Sequence, residues 1–155
     1  MKKNTGFTLI EVLVAMLVLA VALLGLAGLQ AASLKNNQSA YNRSQASQLA
    51  YDIADRMRAN STESHGYTSI QAEDAVKKDQ CTQVSTSCTT ADMASNDLYE
   101  WNLAIKNSLP STPNTPATGA ITTSGNGFTA IIRWDDDRDG DIDNDDPNLQ
   151  TDFVL

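Results

Sequence analysis

The chain of 155 residues is short and acidic, with 19 Asp and Glu against 11 Lys and Arg and a formal net charge of −8. This length suits a single domain. The chain lacks the lysine and arginine patches that neutralise phosphates, so it is a poor candidate for nucleic-acid binding. Its single histidine, His65, has no neighbouring cysteine or histidine, and the sequence contains no phosphate-binding loop. We therefore predict that the protein is not an enzyme.

The first thirty residues are a short basic start followed by a long apolar run. Lys2 and Lys3 precede an almost wholly apolar stretch, residues 7–29. About 20 apolar residues let a helix cross a bilayer, and in lipid only a helix satisfies the backbone of such a segment. The two lysines predict a cytoplasmic N-terminus. Glu11 is the one carboxylate in the run, and an acid inside a membrane segment indicates a function.

A carboxylate at this depth needs a cation, and the apolar run itself contains none. Cleavage between Gly6 and Phe7 would create an ammonium group at Phe7, close to the depth of Glu11. Between staggered neighbouring helices, the amine and the carboxylate could pair and set the register of the two helices. Setting register is the best-attested use of a buried ion pair.

The stretch Lys-Lys-Asn-Thr-Gly-Phe-Thr-Leu-Ile-Glu at residues 2–11 resembles the class III signal of type IV pilins and pseudopilins. The resemblance implies that prepilin peptidase cleaves after Gly6 and methylates the new N-terminal Phe7. It also implies that Glu11 pairs with the N-terminus of a neighbouring subunit during assembly. The alternative is an ordinary signal anchor with an incidental glutamate. A cleaved secretory signal is disfavoured because the apolar run is too long for one.

Residues 30–60 contain no proline or glycine, which predicts one continuous helix from about Phe7 to Ala59. Apolar residues recur here every three or four positions, as they do on a helix face that carries a globular head. The predicted stripe consists of Ala40, Tyr41, Ala46, Leu49, Ala50, Ile53, Ala54 and Met57. Asn42 falls on the opposite, polar face. Local ion pairs and contacts to sibling subunits are the two alternatives for the charged residues Asp52, Asp55, Arg56 and Arg58.

Residues 37–41 and 49–60 narrow the resemblance. They are similar to the PilV group of minor pilins, the type IV pilus modification proteins. This similarity is more specific than the N-terminal signal, which major pilins, minor pilins and secretion pseudopilins share.

Beyond Asn60 the sequence predicts a polar loop to about Gln80, and then two cysteines. Cys81 and Cys88 would lie in the periplasm, where disulfides persist. A bond between them would close a short loop and stabilise the fold by about 2–3 kcal/mol in the chain-entropy model. The alternative is two free thiols. Thr89 then resembles a helix cap, and a second helix with Trp101 in the core should run to about Leu109.

The end of the chain predicts a small antiparallel sheet. Residues 120–123 and 128–134 read as two strands around the turn Ser-Gly-Asn-Gly, and residues 151–155 suggest a third strand. Phe128, Ala130, Ile132 and Trp134 share one face by alternation, and this face should meet the long helix.

Residues 135–146 contain eight aspartates and one cation, Arg138. Their spacing fits the twelve-residue calcium-loop template, with Gly140 at the sharp turn, and resembles the loops of EF-hand and dockerin repeats. Calcium is therefore the expected cofactor. The predicted ligands are Asp135, Asp137, Asp139, Asp141 through its backbone carbonyl, Asp143 and Asp146. The sequence departs from the template at the last position, where Asp146 stands in place of the usual glutamate. The alternative is an acidic hairpin tip without a metal.

Together these patterns predict an α+β, type IV pilin-like fold, in which a long N-terminal helix packs against a small antiparallel sheet and a second helix. The predicted segments are a leader (1–6), a transmembrane helix (7–29), its amphipathic continuation (30–60) and a periplasmic head (61–155).

The resemblance implies a minor pilin in a tip or priming complex that starts type IV pilus assembly and supports twitching motility and adhesin display. Implied partners are other minor pilins, the major pilin, prepilin peptidase, the assembly platform, a tip adhesin and inner-membrane lipid. The implied location is the inner membrane and then the extracellular pilus. Two alternatives remain: a minor pseudopilin of type II secretion, and an unprocessed single-pass calcium-binding membrane protein.

Overall fold

The computed structural model describes residues 8–83 and 87–155. Two compact units are distinguished along the chain, one ending at Ser39 and the other running from Ala40 to Leu155, which we call the head. A single helix, α1, extends from Leu9 to Ala59 and contributes to both units. The predicted long helix is confirmed, and its predicted first residue, Phe7, lies outside the described residues.

In the first unit, α1 is exposed along its length from Leu9 to Gln38. The carbonyl of Thr8 accepts hydrogen bonds from the amides of Glu11 and Val12 at 3.1 and 3.4 Å, which closes the first turn. By length and composition, this part of α1 can cross a membrane.

In the head, one face of α1 is buried, and it begins two residues later than predicted. The buried residues of α1 are Asn42, Ala46, Ala50, Ile53, Ala54 and Met57. The predictions for Ala40 and Tyr41 are wrong, since Ala40 is exposed and Tyr41 is 57% exposed. The buried face starts from Asn42 and recurs every three or four residues. Tyr41 lies about 100° away from Asn42 around the helix.

Between α1 and the next long helix, the described residues include several short turns. Ser61–Glu63 and Asp79–Cys81 are 3-10 turns, and α2 spans Gly66–Ser69. The second long helix, α3, spans Thr90–Ser108, and the amide of Asp92 donates to the Thr89 hydroxyl at 3.1 Å. The predicted cap is therefore confirmed.

Three antiparallel strands form one sheet in the order β1-β2-β3. Their bounds are Thr118–Ser124 for β1, Gly127–Arg133 for β2 and Asn148–Phe153 for β3. β3 begins three residues before the predicted strand because Asn148, Leu149 and Gln150 also pair with β2. The predicted strand end at Trp134 is one residue too late, and Trp134 leads into the acidic segment.

The core of the head lies between α1, α3 and the sheet. Ala130, Ile132 and Trp134 are fully buried, as the alternation predicted, and so is Trp101 on α3. The Trp101 indole donates to the Leu49 carbonyl of α1 at 2.8 Å. Gly119 of β1 permits close contact, because a Cβ there would lie 2.5 Å from the Trp101 ring. α1 and β1 are thus both packed on this one tryptophan.

Candidate functional site

Glu11 lies in the first turn of α1, where the amide groups at the helix N-terminus favour a negative charge. Around it the helix surface is apolar, with Val12, Ala15, Met16 and Leu19 nearby. The sequence-predicted cleavage and methylation residues, Gly6 and Phe7, lie outside the described residues. Their roles and the pairing of Glu11 with a neighbouring N-terminus therefore stay predictions.

Where α1 enters the head, a buried contact joins it to the acidic segment. Asn42 is 1% exposed, and its amide donates to Asp136 Oδ1 at 2.8 Å. The indole of Trp134 donates to the same oxygen, also at 2.8 Å. The placement of Asn42 on a solvent-facing surface is wrong, because its partner lies 94 residues further along the chain. This contact fixes the start of the acidic segment on α1.

A polar network joins the last turns of α1 to α3. Arg56 donates to Asp97 at 3.1 Å and to Glu100 at 2.9 Å, and it also pairs with Asp52 at 3.0 Å. The remaining pair on α1, Arg58 with Asp55, is local. Local ion pairs are thus present, and Arg56 in addition binds across to α3.

The buried carboxylate of Asp97 is shared between this arginine and a tyrosine. The Tyr67 hydroxyl donates to Asp97 Oδ2, and the Asn60 amide donates to Tyr67. Burial, together with the hydrogen bond to Asp97, raises the pKa of Tyr67 above its ordinary value. The hydrogen bond from Arg56 holds the pKa of Glu100 below its ordinary value. The buried charge of Asp97 is thus matched by partners within the network. We infer that the role of the network is structural, because it holds α1, α2 and α3 together.

Cys81 and Cys88 form a disulfide, with their Cα atoms 5.0 Å apart, so the predicted bond is confirmed. The segment before it is tied to α3. The hydroxyl of Ser95 donates to the Val76 carbonyl and accepts from the Val76 amide, and Asn96 accepts from the Lys78 amide. His65 lies exposed before α2, in agreement with its interpretation as a loop residue.

The acidic segment, residues 135–146, brings three of the predicted metal ligands together. One carboxylate oxygen from each of Asp135, Asp137 and Asp139 lies within 4.8 Å of the others. Oxygens that share one calcium ion at 2.3–2.6 Å are at most about 5 Å apart, so this spacing fits the ion. Gly140 makes the predicted turn with φ of 97°.

The other predicted ligands lie outside this group of three. Asp146 accepts from the amides of Asp136 and Asp143 at 2.8 and 3.1 Å, and thereby closes the base of the segment. Asp143 accepts from the Asp145 amide, and Asp141 from the Ile142 amide.

Asp135 differs from its neighbours because it is 1% exposed. Its two oxygens accept from the amides of Arg138 and Gly140 at 2.6 and 3.0 Å. Within the described ranges 8–83 and 87–155, it forms no ion pair. A buried carboxylate without a cation is costly, and these two amide hydrogen bonds are what offset the cost in this structure.

Two family models match adjoining parts of the chain. The model of the prokaryotic N-terminal methylation motif matches residues 1–27, and a model described as type IV pilin Tt1218 matches residues 28–99. No curated protein and no solved structure matches the chain. The two matches together span the signal, the whole of α1 and the first part of α3. They agree with the apolar first half of α1 and with the α+β head, and the chain belongs to the type IV pilins.

Proposed function

We propose that this pilin is a minor pilin of the PilV type, which takes part in initiating type IV pilus assembly within a tip complex of minor pilins. The processing and pairing steps are supported by the direct continuation of the methylation motif into a helix with Glu11 in its first turn. The minor-pilin role is supported by the similarity of residues 37–41 and 49–60 to the PilV group. Prepilin peptidase cleaves after Gly6 and methylates Phe7. Glu11 then pairs with the Phe7 amine of a neighbouring subunit, and the complex supports twitching motility and adhesin display.

The partners follow from this assignment. Before assembly the chain lies in the inner membrane with its head in the periplasm, where the Cys81–Cys88 disulfide is stable. The assembly platform, the major pilin and sibling minor pilins then take it into the extracellular pilus, and a tip adhesin binds the complex. A minor pseudopilin of type II secretion is the alternative, and the match to a type IV pilin model favours the pilus.

Deleting the gene in its host is expected to leave few surface pili and to abolish twitching, because assembly would lack a priming subunit. Pili are counted by electron microscopy, and the wild-type gene supplied in trans is the control. Normal piliation with impaired protein secretion would contradict the proposal and indicate a pseudopilin. Recovery of the protein with Met1 intact or Phe7 unmethylated, measured by mass spectrometry, would contradict every pilin role that needs processing.

We also propose that residues 135–146 bind calcium, with Asp135, Asp137 and Asp139 as ligands. The support is the spacing of their oxygens, which suits one oxygen-ligated cation, and the burial of Asp135. Asp141 through its carbonyl, Asp143 and Asp146 would complete the shell after a rearrangement of the hydrogen bonds they make here. The Asp136 contact to Asn42 would then connect the site to α1.

The substitution Asp137→Asn is expected to weaken calcium binding by about tenfold or more, since it removes one anionic ligand without deleting an oxygen. Binding is measured by calorimetric titration of calcium chloride into the detergent-solubilised full chain. Asp145→Asn is the matched control, because it removes the same charge from a residue outside the group of three. Equal weakening by both variants would show general charge attraction instead of a site, and no heat from the wild-type chain would refute the proposal.

A further inference from the structure

One edge of the sheet in the head, that of β3, has no neighbouring strand among the described residues. β3 pairs with β2 along Asn148–Phe153, and the strand order β1-β2-β3 places β3 at an edge. Within residues 8–83 and 87–155, no strand lies on its other side. The opposite edge strand, β1, instead contacts α2 and α3. An unpaired edge displays a row of amide and carbonyl groups that can accept another strand.

The register shows which backbone groups of β3 point outward. Gly125 and Asn126 form a two-residue turn, so the flanking pair Ser124 and Gly127 exchanges hydrogen bonds. Alternate residues of β2, starting at Gly127, therefore direct their amides towards β1. The intervening residues 128, 130 and 132 direct theirs towards β3. Their partners in β3 are residues 153, 151 and 149, and the backbone groups of residues 148, 150 and 152 thus face the open edge.

Nothing in β3 itself blocks this edge. The strand contains no proline and no lysine, and its only charged residue is Asp152. The carboxylate of Asp152 accepts a hydrogen bond from the Thr129 hydroxyl of β2, so it is held towards the sheet. Charged side chains and prolines are the usual means by which an edge strand is protected from pairing.

The face of β3 that looks towards the helices is incompletely covered. Ala130 and Ile132 of β2 are fully buried, whereas Leu149 and Phe153 of β3 are only half-buried. Phe153 stacks on Phe128 with ring centroids 5.9 Å apart, and the Arg58 guanidinium of α1 lies over its ring, 5.9 Å from the centroid. A groove of about 400 Å³ separates Phe153 from the turn between β1 and β2. A further strand beside β3 would place its apolar side chains against this half-covered face.

Charge indicates what kind of strand would bind. The acidic segment 135–146 leads directly into β3, and its Asp143 and Asp145 lie close in sequence to the start of the strand. A second copy of this chain has its own net charge of −8, and the two adjacent lysines of its head, residues 77 and 78, are already held in ion pairs. Like charges brought together across an interface cost several kcal/mol, and opposite charges select the partner.

We propose that the open edge of β3 binds an extended segment of a different pilus subunit, which adds a fourth strand to the sheet. That segment carries apolar side chains at alternate positions and a lysine or arginine at the end that meets residues 143–146. The backbone groups of residues 148, 150 and 152 supply the hydrogen bonds, and Leu149 and Phe153 supply the apolar contact. The inference rests on the proposed role in a pilus, because it takes the partner from the same assembly.

The test uses the full chain in its host, with Asn148→Cys as the attachment point for a short crosslinker that joins a thiol to an amine. Asn148 is exposed at the edge, and both native cysteines are in the disulfide. We expect a discrete adduct between this chain and a lysine of another pilus subunit, identified by mass spectrometry. Adding Gln150→Pro should lower the adduct yield by about tenfold or more, because it removes an outward amide and adds a ring at the edge.

Gln150→Ala is the matched control, since it removes the same side chain and keeps the amide; its adduct yield should stay within about twofold of that with Gln150. The proline variant should keep its fold, because residue 150 donates no hydrogen bond to β2, and resistance of the head to protease checks this. Equal yields with proline and alanine, an adduct of two copies of this chain, or recovery of the cysteine variant in pili without any adduct would each overturn the inference. Normal piliation of the deletion strain would instead refute the proposed function.

Discussion

Replacing Trp101 by alanine is expected to lower the free energy of unfolding of the head by about 3–5 kcal/mol, the usual cost of deleting a large buried aromatic side chain. Trp101 is fully buried, and it contacts the sheet closely at Gly119. Its indole also donates to the Leu49 carbonyl, so the substitution removes a link between α3 and α1. A loss of this size is a large fraction of the total stability of about 5–15 kcal/mol of an ordinary domain.

The measurement is urea unfolding of the full chain in detergent, followed by the fluorescence of Trp134, which is also buried in the head. Leu103→Ala on the same helix is the control, because Leu103 is 46% exposed and its truncation should cost well under about 1 kcal/mol. Trp101→Phe keeps an aromatic ring but removes the indole N–H, and so separates packing from hydrogen bonding. The lost hydrogen bond should cost about 1 kcal/mol, and the smaller ring adds a separate packing loss. Similar unfolding midpoints for Trp101→Ala and Leu103→Ala would show that this tryptophan does not hold the core together.

The sequence was sufficient for those parts of the fold in which local pattern and tertiary structure agree. α1 has apolar residues at helical spacing and no proline or glycine between residues 30 and 60, so its extent to Ala59 could be predicted. Thr89 and Asp92 predicted the start of α3 because a cap is made by residues three apart. Ala130 and Ile132 share one face of their strand by alternation, and their common burial followed from that.

Features that depend on distant partners could not be read from the sequence. Asn42 looks like a surface residue of an amphipathic helix, and only the acidic segment 94 residues away makes it a buried one. Arg56 likewise has a local partner in Asp52, which hides its bonds to Asp97 and Glu100 on α3. The first half of β3 did carry a signal, since Leu149, Thr151 and Phe153 alternate with polar residues, and this alternation could have extended the predicted strand.

Within the acidic segment, too, some contacts follow from the local sequence and others depend on distant residues. The carboxylates of Asp135, Asp137 and Asp139, which the template groups, do lie close together, because alternate residues before a glycine turn can converge without help from the rest of the chain. The template gave no sign that Asp146 bonds the amides of Asp136 and Asp143, or that Asp136 is held by Asn42 and Trp134. The anchoring of the segment on α1 is therefore a property of the fold and not of the motif.

The substitution Glu11→Ala is expected to leave the deletion strain with few pili, about tenfold or more below the wild-type complement. Under the proposed function, Glu11 is the only group in the apolar run that can pair with the methylated amine of Phe7 on a neighbouring subunit. Without it that amine would enter the filament unpaired, and an unpaired charge in an apolar environment costs several kcal/mol. The same substitution should not impair membrane insertion, because it makes the run more apolar.

An effect on pilus assembly is separated from an effect on membrane insertion by measuring two quantities in the same strains: pili on the cell surface and processed protein in the inner membrane. Glu11→Gln keeps the size and polarity of the side chain and removes its charge, so a defect as severe as that of alanine would assign the effect to the charge. Val12→Ala is the control at the adjoining residue, which is exposed as Glu11 is but carries an apolar side chain. Full piliation with Glu11→Ala would show that this carboxylate is dispensable. Loss of the processed protein from the membrane would instead place its role before assembly, at insertion or cleavage.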